Sequence, residues 1–198
     1  MTPPATPLAA TLAAATATTA AEPPLLTSDP FRPEAPGRNA VRSGTVPTAD
    51  IRIAGPADGP AIAALRRDWT AEQHGDVADD DYEARFLDWY ARESHHRVSW
   101  LGEVGGRPVG MMNLVIFERM PRPGLDSGTW GYLANAFVLG PHRNQGIGAL
   151  LLAAVIAYAD DHQYVRIVLR PSERAVPFYE RAGFFPDGGF MVRYGERS

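Results

Sequence analysis

Cysteine is absent from this chain, which excludes disulfides, thiol nucleophiles and cysteine-ligated zinc. Lysine is absent as well: all nineteen basic residues are arginine, so no side-chain amine on the chain can be acylated. No apolar run approaches the roughly 18–20 residues of a membrane span, and no membrane association is expected. Charge of one sign is not in excess either. The formal net charge is −4, from 23 acidic and 19 basic residues, and draws the chain toward neither nucleic acid nor anionic lipid. A metal framework is missing too. His74, His95 and His96 lack ligand spacing and no set of carboxylates accompanies them, so no metal is expected.

What is present is a chain of 198 residues, 45% hydrophobic, enough for one domain of ordinary size and an appendage. Residues 1–49 are the appendage: they hold nine of the eighteen prolines, are dense in alanine and threonine, and show no apolar period. Glu22, Asp29 and Glu34 cancel Arg32, Arg38 and Arg42, so the remainder carries the net charge. Such a segment buries too little to offset its ordering entropy, and a disordered arm is expected. Its start, Met1-Thr2-Pro3-Pro4, has no basic residue and makes a poor secretory signal. A cytoplasmic protein with its domain over residues 50–198 is the expectation.

From Asp50 onward the apolar pattern alternates between two periods. Ile51-Arg52-Ile53 reads as a short strand; Ile62, Leu65 and Trp69 share one helical face, and Tyr82, Phe86, Trp89 and Tyr90 another. Gln73 to Asp76 reads as the loop between them, and Asp79-Asp80-Asp81 as an acidic cap on the second helix. Val98–Val104 and Pro108–Phe117 form a hairpin about Gly105-Gly106, and Trp130–Leu139 is a further strand. A stripe of Ile147, Leu150, Leu151, Ala154, Val155 and Tyr158 follows, then a strand at Val165–Leu169 whose apolar run predicts burial within a sheet. A short helix holds Phe178 and Tyr179, and Met191–Tyr194 closes as a strand. The order β-α-α-β-β-β-α-β-α-β predicts an α/β fold, a mixed sheet with flanking helices.

The run Arg143-Asn144-Gln145-Gly146-Ile147-Gly148-Ala149 stands where a strand turns into a helix. A helix N-terminus has unsatisfied N–H donors and partial positive charge, so it attracts phosphate without needing lysine. Glycines at 146 and 148 let an anion approach the backbone closely.

Residues 132–185 resemble the GNAT superfamily of acyl-CoA-dependent N-acyltransferases. The matching pieces are Asn135-Ala136-Phe137-Val138, Pro141 to Gly148, and Ala175-Val176-Pro177-Phe178-Tyr179-Glu180-Arg181-Ala182-Gly183-Phe184. Arg143 to Gly148 fits the family's Arg/Gln-x-x-Gly-x-Gly/Ala loop without a gap. The resemblance implies a twisted, mostly antiparallel sheet in which the strand ending at Leu139 splays from the strand of Val165–Leu169. Acetyl-CoA would lie in that gap, its pantetheine arm along Phe137, Val138 and Leu139. Its pyrophosphate would sit on the amides from Arg143 to Ala149, with the Arg143 side chain either reaching phosphate or solvated. Ser172, where many relatives have asparagine, would bond the cofactor arm or cap the next helix.

For chemistry, the resemblance implies attack by a primary amine of a small molecule or peptide on the thioester. A backbone N–H near Val138 would stabilise the oxyanion, and Tyr179 would protonate the leaving thiolate. The family's strand carboxylate is missing: the interior of Trp130–Leu139 offers only Asn135, which can orient substrate or water but accept no proton. Glu103 and Glu118 are alternative bases, and Trp69 and Trp130 are candidates for the acceptor pocket. Relatives are commonly dimers, so the resemblance also implies a homodimer as one assembly. Two other classes stay open: a non-catalytic acyl-CoA-binding module, and a nucleotide-binding protein, although Gly146-x-Gly148 lacks the Gly-Lys-Ser/Thr ending of a P-loop.

Overall fold

Gly105 and Gly106 both adopt positive φ, 57° and 75°, the backbone twist that a two-residue hairpin needs between right-handed strands. That turn fixes the register of β2 (Arg97–Val104) on β3 (Arg107–Glu118), pairing Val104 with Arg107 and Trp100 with Met112. A computed structural model describes residues 49–124 and 127–188. Within them β1 (Ala49–Ile53) and β4 (Thr129–Val138) lie antiparallel to the outer edges of that hairpin. β5 (Ile167–Val168) joins β4 in parallel, completing the order β1-β2-β3-β4-β5. This is the mixed sheet that the element order predicts, mostly antiparallel as the resemblance implies.

Two helical layers cover it. α1 (Gly59–His74) and α2 (Tyr82–Glu93) bury Ile62, Leu65 and Tyr90 against Leu101, Met111 and Phe137. On the other face α3 (Ile147–Asp161) and α4 (Val176–Glu180) bury Ile147, Leu151, Leu152, Val155 and Tyr179 against Trp100, Met112, Leu114 and Leu133. α1 runs to His74, and Gly75, with φ 78°, ends it. Among the described residues no helix is long and apolar enough to cross a membrane.

Two expectations need correction. Asp81 occupies the N-cap position of α2 but makes no side-chain cap bond. The Asp79 carboxylate turns instead to Arg85 at 2.6 and 3.0 Å, which holds its pKa below the usual range. The strand expected over Val165–Leu169 narrows to Ile167 and Val168, both half-buried, with Val165 56% exposed. The reason is that β5 shares only two rungs with β4, Gly131 with Ile167 and Tyr132 with Val168. The closing strand at Met191–Tyr194 and the arm, apart from Ala49 at the head of β1, lie outside the described residues.

Those two rungs require a bare backbone at Gly131. A Cβ there would stand 2.6 Å from Leu114 Cδ1 and 2.9 Å from its Cγ, and Leu114 is fully buried. Gly131→Ala is therefore expected to cost about 1–3 kcal/mol by overpacking. Thermal unfolding followed by circular dichroism should show a Tm lowered by roughly 2–4 °C for each kcal/mol lost.

Candidate functional site

The site starts from an extra residue in β4. Met111 faces Phe137 and Asn113 faces Ala134, so Met112 alone stands opposite both Asn135 and Ala136, a β-bulge. Asn135 takes φ 52°, a left-handed conformation that asparagine tolerates better than most residues. The bulge reverses which edge of β4 each backbone group faces. Before it, the Gly131 N–H donates to the O of Arg166, the residue preceding β5. After it, the N–H of another odd-numbered residue, Leu139, donates to Val109 O on β3. Val138 therefore presents its N–H and C=O to the side that β5 has left, because β4 runs six residues beyond its last rung at Tyr132. Of the three residues predicted to line the cofactor arm, Val138 alone meets the requirement; the Leu139 N–H is spent on Val109 and Phe137 pairs with Met111.

At the end of β4 the chain makes a 3-10 turn, Gly140–His142, and enters α3 through an exposed loop. The Arg143 N–H donates to Gly140 O at 3.2 Å and is not free. Among the described residues no acceptor takes the amides of Asn144, Gln145 or Gly146. Those of Ile147, Gly148 and Ala149 lie in the first turn of α3, where no intrahelical carbonyl exists to receive them. Asn144 and Gly146 hold φ 60° and 84°, which turns the loop amides one way, and Gln145 Nε2 braces the loop on Pro141 O at 2.9 Å. The cradle is thus Asn144 to Ala149, one residue shorter than predicted. Six amides at a helix N-terminus, unpaired among the described residues, carry the partial positive charge that suits an anion such as a diphosphate.

Arg143 is exposed, yet its side chain is tied down within the protein. Its Nε donates to Val138 O at 2.8 Å, its guanidinium pairs with the Glu72 carboxylate, and its Cζ lies 5.6 Å from the centre of the Phe137 ring. Phe137 in turn stacks on Trp69, 5.7 Å between centroids. This strut joins the end of α1, the end of β4 and the head of the cradle. Sequence reading missed Glu72; only its place one turn after Trp69 on the same helix hinted at it.

Tyr179 is 9% exposed on α4, edge-on to Phe178 and Phe184 at 4.9 and 5.8 Å. Burial pushes its hydroxyl pKa above the usual value of 10. With Ile167, Val168 and Leu169 it lines a cavity of about 680 Å³ beside β5, which no cradle residue touches. Pro177 is the second residue of α4, where a missing N–H costs nothing. Ser172 caps the preceding turn through its carbonyl, which accepts from the Ala175 N–H at 2.8 Å, and its exposed hydroxyl makes no cap bond.

The alternative bases stand elsewhere. Glu103 belongs to a surface triad in which Arg52 reaches it at 2.7 Å and Asp58 at 2.7 Å, the hydrogen bond from Arg52 drawing Asp58 down to about 2. Glu118 is exposed at the far end of β3, opposite Thr129. Trp130 stacks on Phe117 at 4.4 Å and lies under Arg166 at 5.4 Å. Among the described residues no cluster of three or more His, Asp or Glu side chains suits a metal ion.

With that geometry in view, the known proteins can be set beside it. The family model described as acetyltransferase (GNAT) family matches residues 62–184. A predicted acetyltransferase from Clostridium acetobutylicum, crystallised with acetyl-CoA, superposes with TM-score 0.61 at 18% identity, over 74% of this chain and 96% of that one. Glucosamine-6-phosphate N-acetyltransferase from Arabidopsis thaliana gives 0.59 at 16%, over 75% and 99%. An acetyltransferase from Trypanosoma brucei gives 0.57 at 21%, over 74% and 99%. No curated protein matches the chain. The parted strands and open amide cradle agree with the matched span, and the chain belongs to the GNAT family of acetyltransferases.

Proposed function

We propose that the chain transfers the acetyl group of acetyl-CoA to a primary amine of a small molecule or peptide by direct attack. The observation that carries this reading is the pairing of the cradle with the parted strands: amides for a diphosphate at one end and an opening beside Val138 at the other. When bound, acetyl-CoA supplies an acyl thioester. The amides of Asn144 to Ala149 hold the diphosphate, while Arg143, tied to Glu72 and Val138, keeps the cradle at its fixed distance from β4. The Val138 N–H, aimed into the gap, donates to the acyl oxygen as it gains charge. Asn135, at the bulge, orients the incoming amine. β4 carries no carboxylate, so the amine is captured neutral or loses its proton to water.

Tyr179 completes the reaction by giving its hydroxyl proton to the departing sulfur. A phenol normally has pKa about 10 and a thiol about 8.5, so the hydroxyl is protonated at neutral pH. The transfer is uphill by only about 1.5 pKa units and is drawn forward by collapse of the intermediate to the amide. Burial raises the Tyr179 value and thus keeps the proton in place across the neutral range. Ser172, exposed and uncommitted at its hydroxyl, borders the cofactor arm.

Three outcomes follow. A thiol-release assay with acetyl-CoA over a panel of amines should show turnover; binding of acetyl-CoA without turnover across a broad panel would favour an acyl-CoA-binding module. Tyr179→Phe should lower kcat by about 10²–10⁴-fold. Calorimetry should leave its coenzyme A affinity within twofold, and the wild-type alkaline limb of kcat should fall above pH 10, since the raised pKa retains the proton to higher pH. Gly146→Ala forces a Cβ into φ 84° and should cost about 1–2 kcal/mol of stability. It should also weaken coenzyme A binding, while Gly148→Ala, whose Cβ would meet Phe178 only at 3.7 Å, should leave the Tm nearly unchanged.

A further inference from the structure

α3 and α4 close one face of β4, where Leu133 is buried. The alternation of a strand sends Trp130 and Tyr132 to the opposite face. There α1 and α2 bury Met111 and Phe137 and, through Glu93 and Arg97, cover Asn113, while neither Trp130 nor Tyr132 belongs to a core cluster. Among the described residues, a half-buried strip of sheet therefore leads from Trp130 past Tyr132 to the bulge at Asn135.

The strip has a built end. Phe117, Trp130 and Arg166 form one row across β3, β4 and the residue preceding β5: Phe117 is the direct partner of Trp130, and Ile167, next to Arg166, is the partner of Gly131. The two rings stack at 4.4 Å and 14°, and the guanidinium lies 5.4 Å from the Trp130 ring centre. Phe117 is 41% exposed and Arg166 is exposed. Among the described residues no acidic side chain pairs with Arg166. Arg97, which reaches Asn113 Oδ1 on the same face, is by contrast already matched by Glu93. A guanidinium held over an aromatic ring keeps its N–H edge free, and that edge takes two oxygens of a carboxylate or phosphate at once.

We propose that the acceptor is a peptide whose N-terminal amine lies at Asn135 and which carries a carboxylate or phosphate at about its fourth or fifth residue, seated on Trp130 and Arg166. The inference rests on the acetyl-transfer reading above. From Trp130 to Asn135 is five positions, roughly 16 Å at 3.3 Å per residue, a span that a single amino acid does not cover. The positive end stands out on a chain whose net charge is −4.

The test is thiol release from acetyl-CoA with amidated peptides of one to six residues, bearing Glu, phosphoserine, Gln or Arg at positions four and five. The expected result is a kcat/KM that rises with length and is at least tenfold higher for Glu or phosphoserine than for Gln, and lowest for Arg; the better of the two anions identifies the source. Arg166→Gln should remove that preference by raising KM for the anionic peptides alone, leaving kcat, coenzyme A affinity and Tm unchanged. Trp130→Ala should raise KM for every long peptide but not for one-residue amines. Equal kcat/KM for Glu and Gln peptides, or an Arg166→Gln loss shared equally by both, overturns the inference while leaving acetyl transfer intact. Absence of turnover with every amine, despite acetyl-CoA binding, overturns both.

Discussion

Six residues of β4 run on after β5 has left them, and a sheet cannot part without stranding backbone groups that were made to pair. Everything at the site answers that constraint. The bulge at Asn135 turns the groups of Val138 toward the opening rather than into β3, so one donor and one acceptor await a ligand strand. Arg143 satisfies the acceptor for the present by donating to the Val138 carbonyl. The separation thus leaves an edge of β4 shaped by the fold, with the Val138 N–H turned to the opening and its carbonyl held by Arg143.

The same economy governs the loop that follows. Its amides face outward because Asn144 and Gly146 hold positive φ, and the side chains that flank them brace the loop instead of reaching for ligand. Backbone donors are fixed in place by the helix they open, whereas an arginine on a long stem must be ordered at each encounter. A chain without lysine loses little by that arrangement.

Much of this was legible in the residues. Gly105-Gly106 announced the hairpin, the stripe from Ile147 to Tyr158 announced α3, and Gly146 with Gly148 marked the cradle. The family motifs then joined these into one architecture. What was not legible shares a cause. Glu72 meets Arg143 across 71 positions, and no local period encodes such a pairing. The bulge at Asn135 is a matter of register between two strands, which the strand's own alternation cannot reveal. Ser172 and Asp81 stand where caps are expected, yet their side chains make no cap bond, because a favourable residue type at a helix start permits that bond without compelling it.

The two cores on either side of the sheet share no buried residue, and only half-buried Leu139 packs against both. Apart from the strut of Glu72, Trp69, Phe137 and Arg143, substitutions in the buried layer of α1 and α2 should therefore add to those in the layer of α3 rather than compound with them. Residues that face one core can thus change with little consequence for the packing of the other.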